Sequence, residues 1–181
     1  MIRLDPTPIL TTDRLTLRAP QGSDWPHWRS FHHSDRARFI GGGPAQVQGT
    51  SWRAFGHIIG HWAMRGFGMF VFTHKGDDTP LGLTGPWFPE GWPERELGWT
   101  VWSSAAEGRG LVAEAARAAR RHVFTTLGWT TAVSYIDPDN ARSIALAERI
   151  GATRDRLAPQ PQWDKPCLVY RHPAPDAEAG A

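Results

Sequence analysis

Leu15 and Leu17 alternate with Arg14, Thr16 and Arg18 in DRLTLRAP, the period-two pattern of a half-buried strand. GSDWPHWRSFHH follows, with Ser23 or Asp24 as N-cap and Pro26 in the first turn, which predicts a helix. The glycine-rich loop IGGGPAQVQGTS leads into a second helical stretch, TSWRAFGHIIGHWAMRGFG, ended by Gly66 or Gly68. GMFVFTHKGDD and TPLGLTGPWF read as strands joined at Gly76-Asp77-Asp78, and WPERELGWTVWSS as a third. A long helix spans about 110–127, and a strand lies in WTTAVSYID. Another helix follows in PDNARSIALAERIG, closed by Gly151, and the last strands lie in ATRDRLA and CLVYRH. PAPDAEAGA, residues 173–181, carries no apolar anchor and is expected to be a disordered tail.

This order, β-α-α-β-β-β-α-β-α-β-β, puts hairpins early and βα units late. It predicts a mixed α/β (α+β) sheet with helices on both faces, in a single domain over residues 1–172. Within the long helix, Leu111, Ala115, Ala118, Ala119, His122 and Val123 share one stripe, with Arg117, Arg120 and Arg121 opposite. Alanine on the inner stripe lets the helix lie close to its sheet. Its first turn then comes near the end of the strand that carries Trp102.

Composition narrows the functional classes. At 181 residues, 40% hydrophobic and 21% charged, the chain can bury a core of its own. No apolar run is long enough to span a membrane, and one cysteine, Cys167, fits a small buried hydrophobe in a reducing cytoplasm. A net charge of +2 is too small to argue for nucleic acid. Ten tryptophans exceed what such a core needs, so some are expected to line a cleft. They favour a compact apolar or cationic guest.

The chemistry concentrates in SSAAEGRGLVAEAARAARRHVF. Gly108 and Gly110, flanking Arg109, let the backbone curl so that the N–H groups of Leu111, Val112 and Ala113 converge at a helix start. That is a cradle for phosphate or pyrophosphate; the same residues also fit a tight strand-to-helix turn without a ligand. HIIGH places His57 and His61 on one helix face, but the glutamate of a zinc-protease motif and a third ligand are missing, so no metal is expected.

EGRGLVAEAARAARRHVF with LGW after it, DPDNARSIALAERIGA further on and RELGWTVW before together resemble the GCN5-related N-acetyltransferases (GNAT), closest to the RimJ/RimL-like branch. The resemblance covers residues 10–172 and is most specific over 96–152. It implies a mostly antiparallel central sheet splayed at the cofactor, and acetyl-CoA as co-substrate. The pyrophosphate would lie on residues 108–113 and the pantetheine arm along 99–103, including Trp102 and Ser103. Trp102 occupies the position whose backbone polarises the thioester. The implied reaction is attack of a primary amine on the thioester, the amine being a protein N-terminus or a small molecule.

Glu96 matches the family's catalytic glutamate. Nearby Trp87, Trp92 and Trp99 would raise its pKa by desolvation; the other reading is a solvated carboxylate at a strand start. Where many members carry an acid tyrosine, this chain has Ala147. Asn140 and Ser143 remain on one face of the helix that follows, Ser143 near the sulfur and Asn140 against the pantetheine or as an N-cap. Trp87, Trp92, His57 and His61 are expected to border the acceptor. Two departures from the family pattern, Glu107 and Val112, face the expected pyrophosphate and point to weaker CoA binding. A catalytically silent acyl-CoA-binding sensor or interaction module is the alternative reading. The expected partner is the amine acceptor, with no nucleic acid or membrane, and a homodimer is compatible with the chain.

Overall fold

Residues 7–163 and 165–175 are described by a computed structural model; residues 176–181 of the expected tail lie outside the described residues. The alternation in DRLTLRAP forms β2 (Leu15–Arg18), with Leu15 and Leu17 fully buried, and a two-residue strand not predicted from sequence, β1 (Leu10–Thr11), pairs with it. Two helices follow, α1 (Trp25–His32) with Pro26 in its first turn, and α2 (Gln48–Arg65). Gly66, at φ 76°, ends α2 in the left-handed conformation that glycine adopts without strain. The hairpin strands are β3 (Phe70–His74) and β4 (Gly82–Trp87), followed by β5 (Glu96–Val101), α3 (Leu111–Thr125), β6 (Val133–Ile136) and α4 (Ala141–Arg149). β7 (Thr153–Arg154) and β8 (Leu168–Arg171) close the order.

Among the described residues, eight strands form one sheet in the order β1-β2-β3-β4-β5-β6-β8-β7, in which β5 and β6 are the one parallel pair. One face carries α1 and α2 over Trp28, Phe31, Phe55, Ile58, Val71 and Leu83. The other carries α3, whose Leu111, Ala115 and Ala119 meet Leu15, Phe70 and Leu97 without exposure. Full burial of Leu111 alone is worth about 2 kcal/mol.

Two arginines read as solvent-facing are buried. Arg18 lies on the outer side of its strand by alternation, yet it is 8% exposed because Asp24 accepts from both Nη atoms at 2.8 Å and Asp78 pairs with Nε. The expected cap Asp24 thus serves Arg18 and the Gln21 N–H, not the α1 backbone. Arg120, placed on the polar side of α3, is 2% exposed and donates to the Ile150 carbonyl. A buried arginine is tolerated when its donors find fixed acceptors.

The sheet opens where β5 meets β6. One pair, Glu96 with Val133, joins them, and beyond it the strands diverge. Ser134 pins the fork: its hydroxyl donates to the Leu97 carbonyl at 2.6 Å and accepts from His172 Nε2 at 2.8 Å. Burial drives His172 down to about 3, so this imidazole stays neutral.

Candidate active site

α3 begins against the fork. Gly108 (φ 69°) and Gly110 (φ 74°) are both left-handed, and Gly110 is the residue that opens the helix. The first N–H groups of α3 have no carbonyl one turn earlier to receive them, and the helix dipole adds positive potential there. A Cβ at Gly108 would meet nothing within 4 Å, so the turn faces open space. The geometry fits a pyrophosphate. Arg14 braces the turn from outside through the Arg109 carbonyl (3.1 Å) and Glu114 (2.6 Å).

Both departures from the family pattern change meaning in the folded chain. Glu107 is paired with Arg36 at 2.8 Å and Arg142 at 2.9 Å, so its charge does not stand unopposed beside the turn. Val112 packs against the clusters around Leu111 and around Ala113 and Leu146, which directs its side chain away from the turn.

The open edge of β5 corrects the expectation for Trp102. Its N–H donates to the Leu81 carbonyl at 2.8 Å, and the Ser103 N–H shares that acceptor at 3.2 Å. By alternation, residues 96, 98, 100 and 102 direct their backbone groups to β4, and residues 97, 99 and 101 direct theirs to the fork. Pro86, opposite Leu97, agrees: lacking an N–H, it suits a pair that exchanges no hydrogen bonds. Trp99 and Val101 therefore present the N–H groups that an acyl-pantetheine could meet, and Trp102 does not. The Trp102 side chain is core, buried against Trp28 and Phe31, with Nε1 on Thr100 Oγ1. The Ser103 hydroxyl caps a short turn through the Ala105 N–H.

A cavity of about 860 Å³ opens on the α1/α2 side of the fork, and five of the ten tryptophans line it. Glu96 stands in its wall. Gly98, next on the same side, leaves the floor open: a Cβ there would come within 3.0 Å of the Met69 methyl. Trp92 Nε1 donates to Glu96 Oε2 at 2.7 Å, and the Tyr135 backbone adds a second hydrogen bond. Enclosure by protein nevertheless dominates and pushes this carboxyl up to about 7. Its sequence neighbour differs. Glu94 is held by both Nη atoms of Arg171 at 2.8 and 3.0 Å, so its two oxygens are committed to a cation. Among the described residues no cation pairs with Glu96, so Glu96 is the carboxylate able to take and release a proton near neutrality.

The other predicted residues divide. Trp87 and His57 line the cavity with Trp92. His61 does not: it is 2% exposed, its Nδ1 lies 2.8 Å from the Phe67 carbonyl, and its Nε2 accepts the Phe88 N–H at 2.9 Å. Both ring nitrogens are engaged, burial lowers its pKa, and the ring stacks 4.5 Å from Trp87. It holds the wall and cannot also act as a base. Asn140 caps α4 through the Ser143 N–H at 3.2 Å, and Ser143 Oγ accepts from Trp99 Nε1 at 3.2 Å, leaving its own proton to donate. Cys167 is buried, with its thiol on Gln160 Oε1 and pushed up to about 11 by burial, which makes it a poor nucleophile.

Trp28, His32, Gly98 and Trp163 also line the cavity and were not individually singled out in the sequence. Gly98 carried a readable signal, since it shares a strand face with Glu96 and Thr100. Trp163 carried only its membership of the tryptophan excess, because it lies in a loop whose path has no periodicity. Among the described residues, no group of three His, Cys, Asp or Glu is placed to hold a metal, and no helix is long and apolar enough to cross a membrane.

Residues 14–153 match the family model described as the GNAT acetyltransferase domain. The fold superposes on the crystal structure of an acetyltransferase from Agrobacterium tumefaciens with a TM-score of 0.84 and 40% identity, over 92% of this chain and 95% of that one. A GNAT-family protein of Bordetella pertussis gives 0.74 and 25%, over 92% and 100% of the two chains. RimL, a ribosomal alpha-N-protein acetyltransferase in complex with coenzyme A, shares the fold at 18% identity and a TM-score of 0.67, over 92% and 98%.

Proposed function

Because the chain belongs to the GNAT acetyltransferase family, we propose that it transfers acetyl from acetyl-CoA to the nitrogen of a primary amine, with Glu96 as the base. The observation that carries this reading is the carboxyl of Glu96, raised to about 7, without a cationic partner, in the wall of the cavity at the fork of β5 and β6.

The cradle at residues 108–113 suits the pyrophosphate, and the edge of β5 at Trp99 and Val101 suits the arm that leads to the thioester. Acetyl-CoA supplies an acetyl group already activated as a thioester, so the new N–C bond replaces a C–S bond. Glu96 accepts one proton from the ammonium form of the acceptor, which frees the nitrogen lone pair, and later releases that proton to solvent. The nitrogen's second proton is matched by one delivered to the departing sulfur, for which Ser143 is the candidate donor. Trp92 is a positioning residue, because its N–H fixes the carboxylate rotamer.

The test is free-thiol release from acetyl-CoA in the presence of primary amines, alongside thermal stabilisation by CoA. Amine-dependent thiol release supports the enzyme. Stabilisation by CoA without thiol release from any amine would instead favour a silent acyl-CoA-binding module.

A further inference from the structure

The cavity beside Glu96 has largely aromatic and aliphatic walls. Trp87, Trp92 and Trp163 line it with Phe39, Met69 and Leu83. The indole N–H groups of three lining tryptophans are already engaged by protein: Trp28 on the Ser51 carbonyl at 3.1 Å, Trp92 on Glu96, and Trp99 on Ser143. What these rings can offer a guest is therefore their π faces and apolar edges. Trp87 is held rigidly between His61 at 4.5 Å and His57 at 4.9 Å. Trp163 meets Trp92 at 5.6 Å and Tyr135 at 6.0 Å in edge-to-face contacts. Among the described residues, the acids in the lining are Glu96 and Asp137, and Lys165 adds a positive charge.

We propose that the acceptor is a small amine with one positive charge on a flat apolar body, an arylalkylamine, its nitrogen at Glu96 and its ring among Trp87, Trp92 and Trp163. This inference rests on the acetyltransferase reading and names the substrate class for the same site. An ammonium group next to one carboxylate and over aromatic faces gains both a charge partner and cation–π attraction. A polyamine or aminoglycoside brings several ammonium groups, and the wall supplies too few carboxylates to receive them. A peptide brings an amide at every residue, each costly to bury without a partner. A flat ring has neither demand, and the walls match it.

The test compares kcat/KM, by thiol release from acetyl-CoA, for 2-phenylethylamine and tryptamine against ethylamine, spermidine, kanamycin and a hexapeptide with a free N-terminal alanine. The arylalkylamines should exceed each of the others by about tenfold or more, the range that apolar pocket contacts supply. Trp163, which is 45% exposed and so can be removed without emptying the core, provides the second arm. In Trp163→Ala, the preference for 2-phenylethylamine over ethylamine should fall by about tenfold. Preference for the peptide or the polycations would overturn the substrate class and leave acetyl transfer standing. An unchanged preference in Trp163→Ala would overturn the placement of the ring. CoA stabilisation with no thiol release from any amine would overturn both this inference and the reading beneath it.

Discussion

Glu96→Gln should make the protein more stable, and only where the wild-type carboxyl is ionised. The substitution keeps the shape and the acceptor for Trp92 Nε1, and it removes a charge that the fold holds in poor surroundings. The carboxyl moves from 4.5 to about 7 on folding, and each tenfold change is worth about 1.36 kcal/mol, so the ionised form costs at most roughly 3 kcal/mol. Glu96 keeps part of its surface open to the cavity, and solvent screening there leaves about 1–2 kcal/mol for the measured effect. A raised carboxyl pKa means that the folded state binds the extra proton between pH 4.5 and 7. Wild-type stability from this group is therefore greatest below pH 4.5 and is lost as the pH rises to about 7. Scanning calorimetry of both proteins at pH 5 and pH 8.5 separates this from a general packing effect. At about 2–4 °C per kcal/mol for a chain of this size, the variant should melt about 2–8 °C higher at pH 8.5 and higher by about half of that or less at pH 5. Equal displacement at both pH values, or a lower Tm for the variant at pH 8.5, would refute the claim that Glu96 is desolvated and unpaired.

Three further substitutions address the cofactor side. Gly110→Asp forces a side chain into left-handed backbone and sets a carboxylate at the anion cradle; stabilisation by CoA should vanish, while the fold loses only about 1 kcal/mol. Val112→Ala should leave the Kd for CoA unchanged and cost about 1–2 kcal/mol of stability, because the valine packs inward; tighter CoA binding by calorimetry would show that it obstructs the cradle. Ser143→Ala should lower kcat by about tenfold or less, equally at all pH values, since a thiolate leaves tolerably without an acid; a pH-dependent loss would mark Ser143 as part of the base pathway.

Local pattern carried most of the architecture. The alanine stripe of α3, the glycines before it and the strand led by Glu96 are each set by neighbours within a few residues, and all three appear where periodicity places them. The register of β5 was not legible in this way. Whether residue 101 or residue 102 faces the fork depends on pairing with β4, and a slip of one exchanges the two sets of N–H groups. Pro86 held the only local clue, and it becomes informative once its partner is known to be Leu97. Arg18, Arg120 and His61 were misplaced for a related reason. Each is polar by type and sits on a face that periodicity assigns to solvent or to the groove, but acceptors distant in sequence draw it into the interior. For Glu96 and Glu94 the sequence offered two carboxylates in one strand entry. Arg171, 77 positions away from Glu94, distinguishes them.

The central claim is that Glu96 removes the proton of the acceptor ammonium, and the pH dependence of kcat/KM tests it most directly. With the best acceptor amine, wild type should show an acidic limb that breaks near pH 7, where the carboxyl ionises. Glu96→Gln should fall at least about tenfold at pH 7.5, lose that break, and recover about tenfold per pH unit as free amine accumulates. A variant that keeps both the wild-type rate and the break near pH 7 would contradict the account.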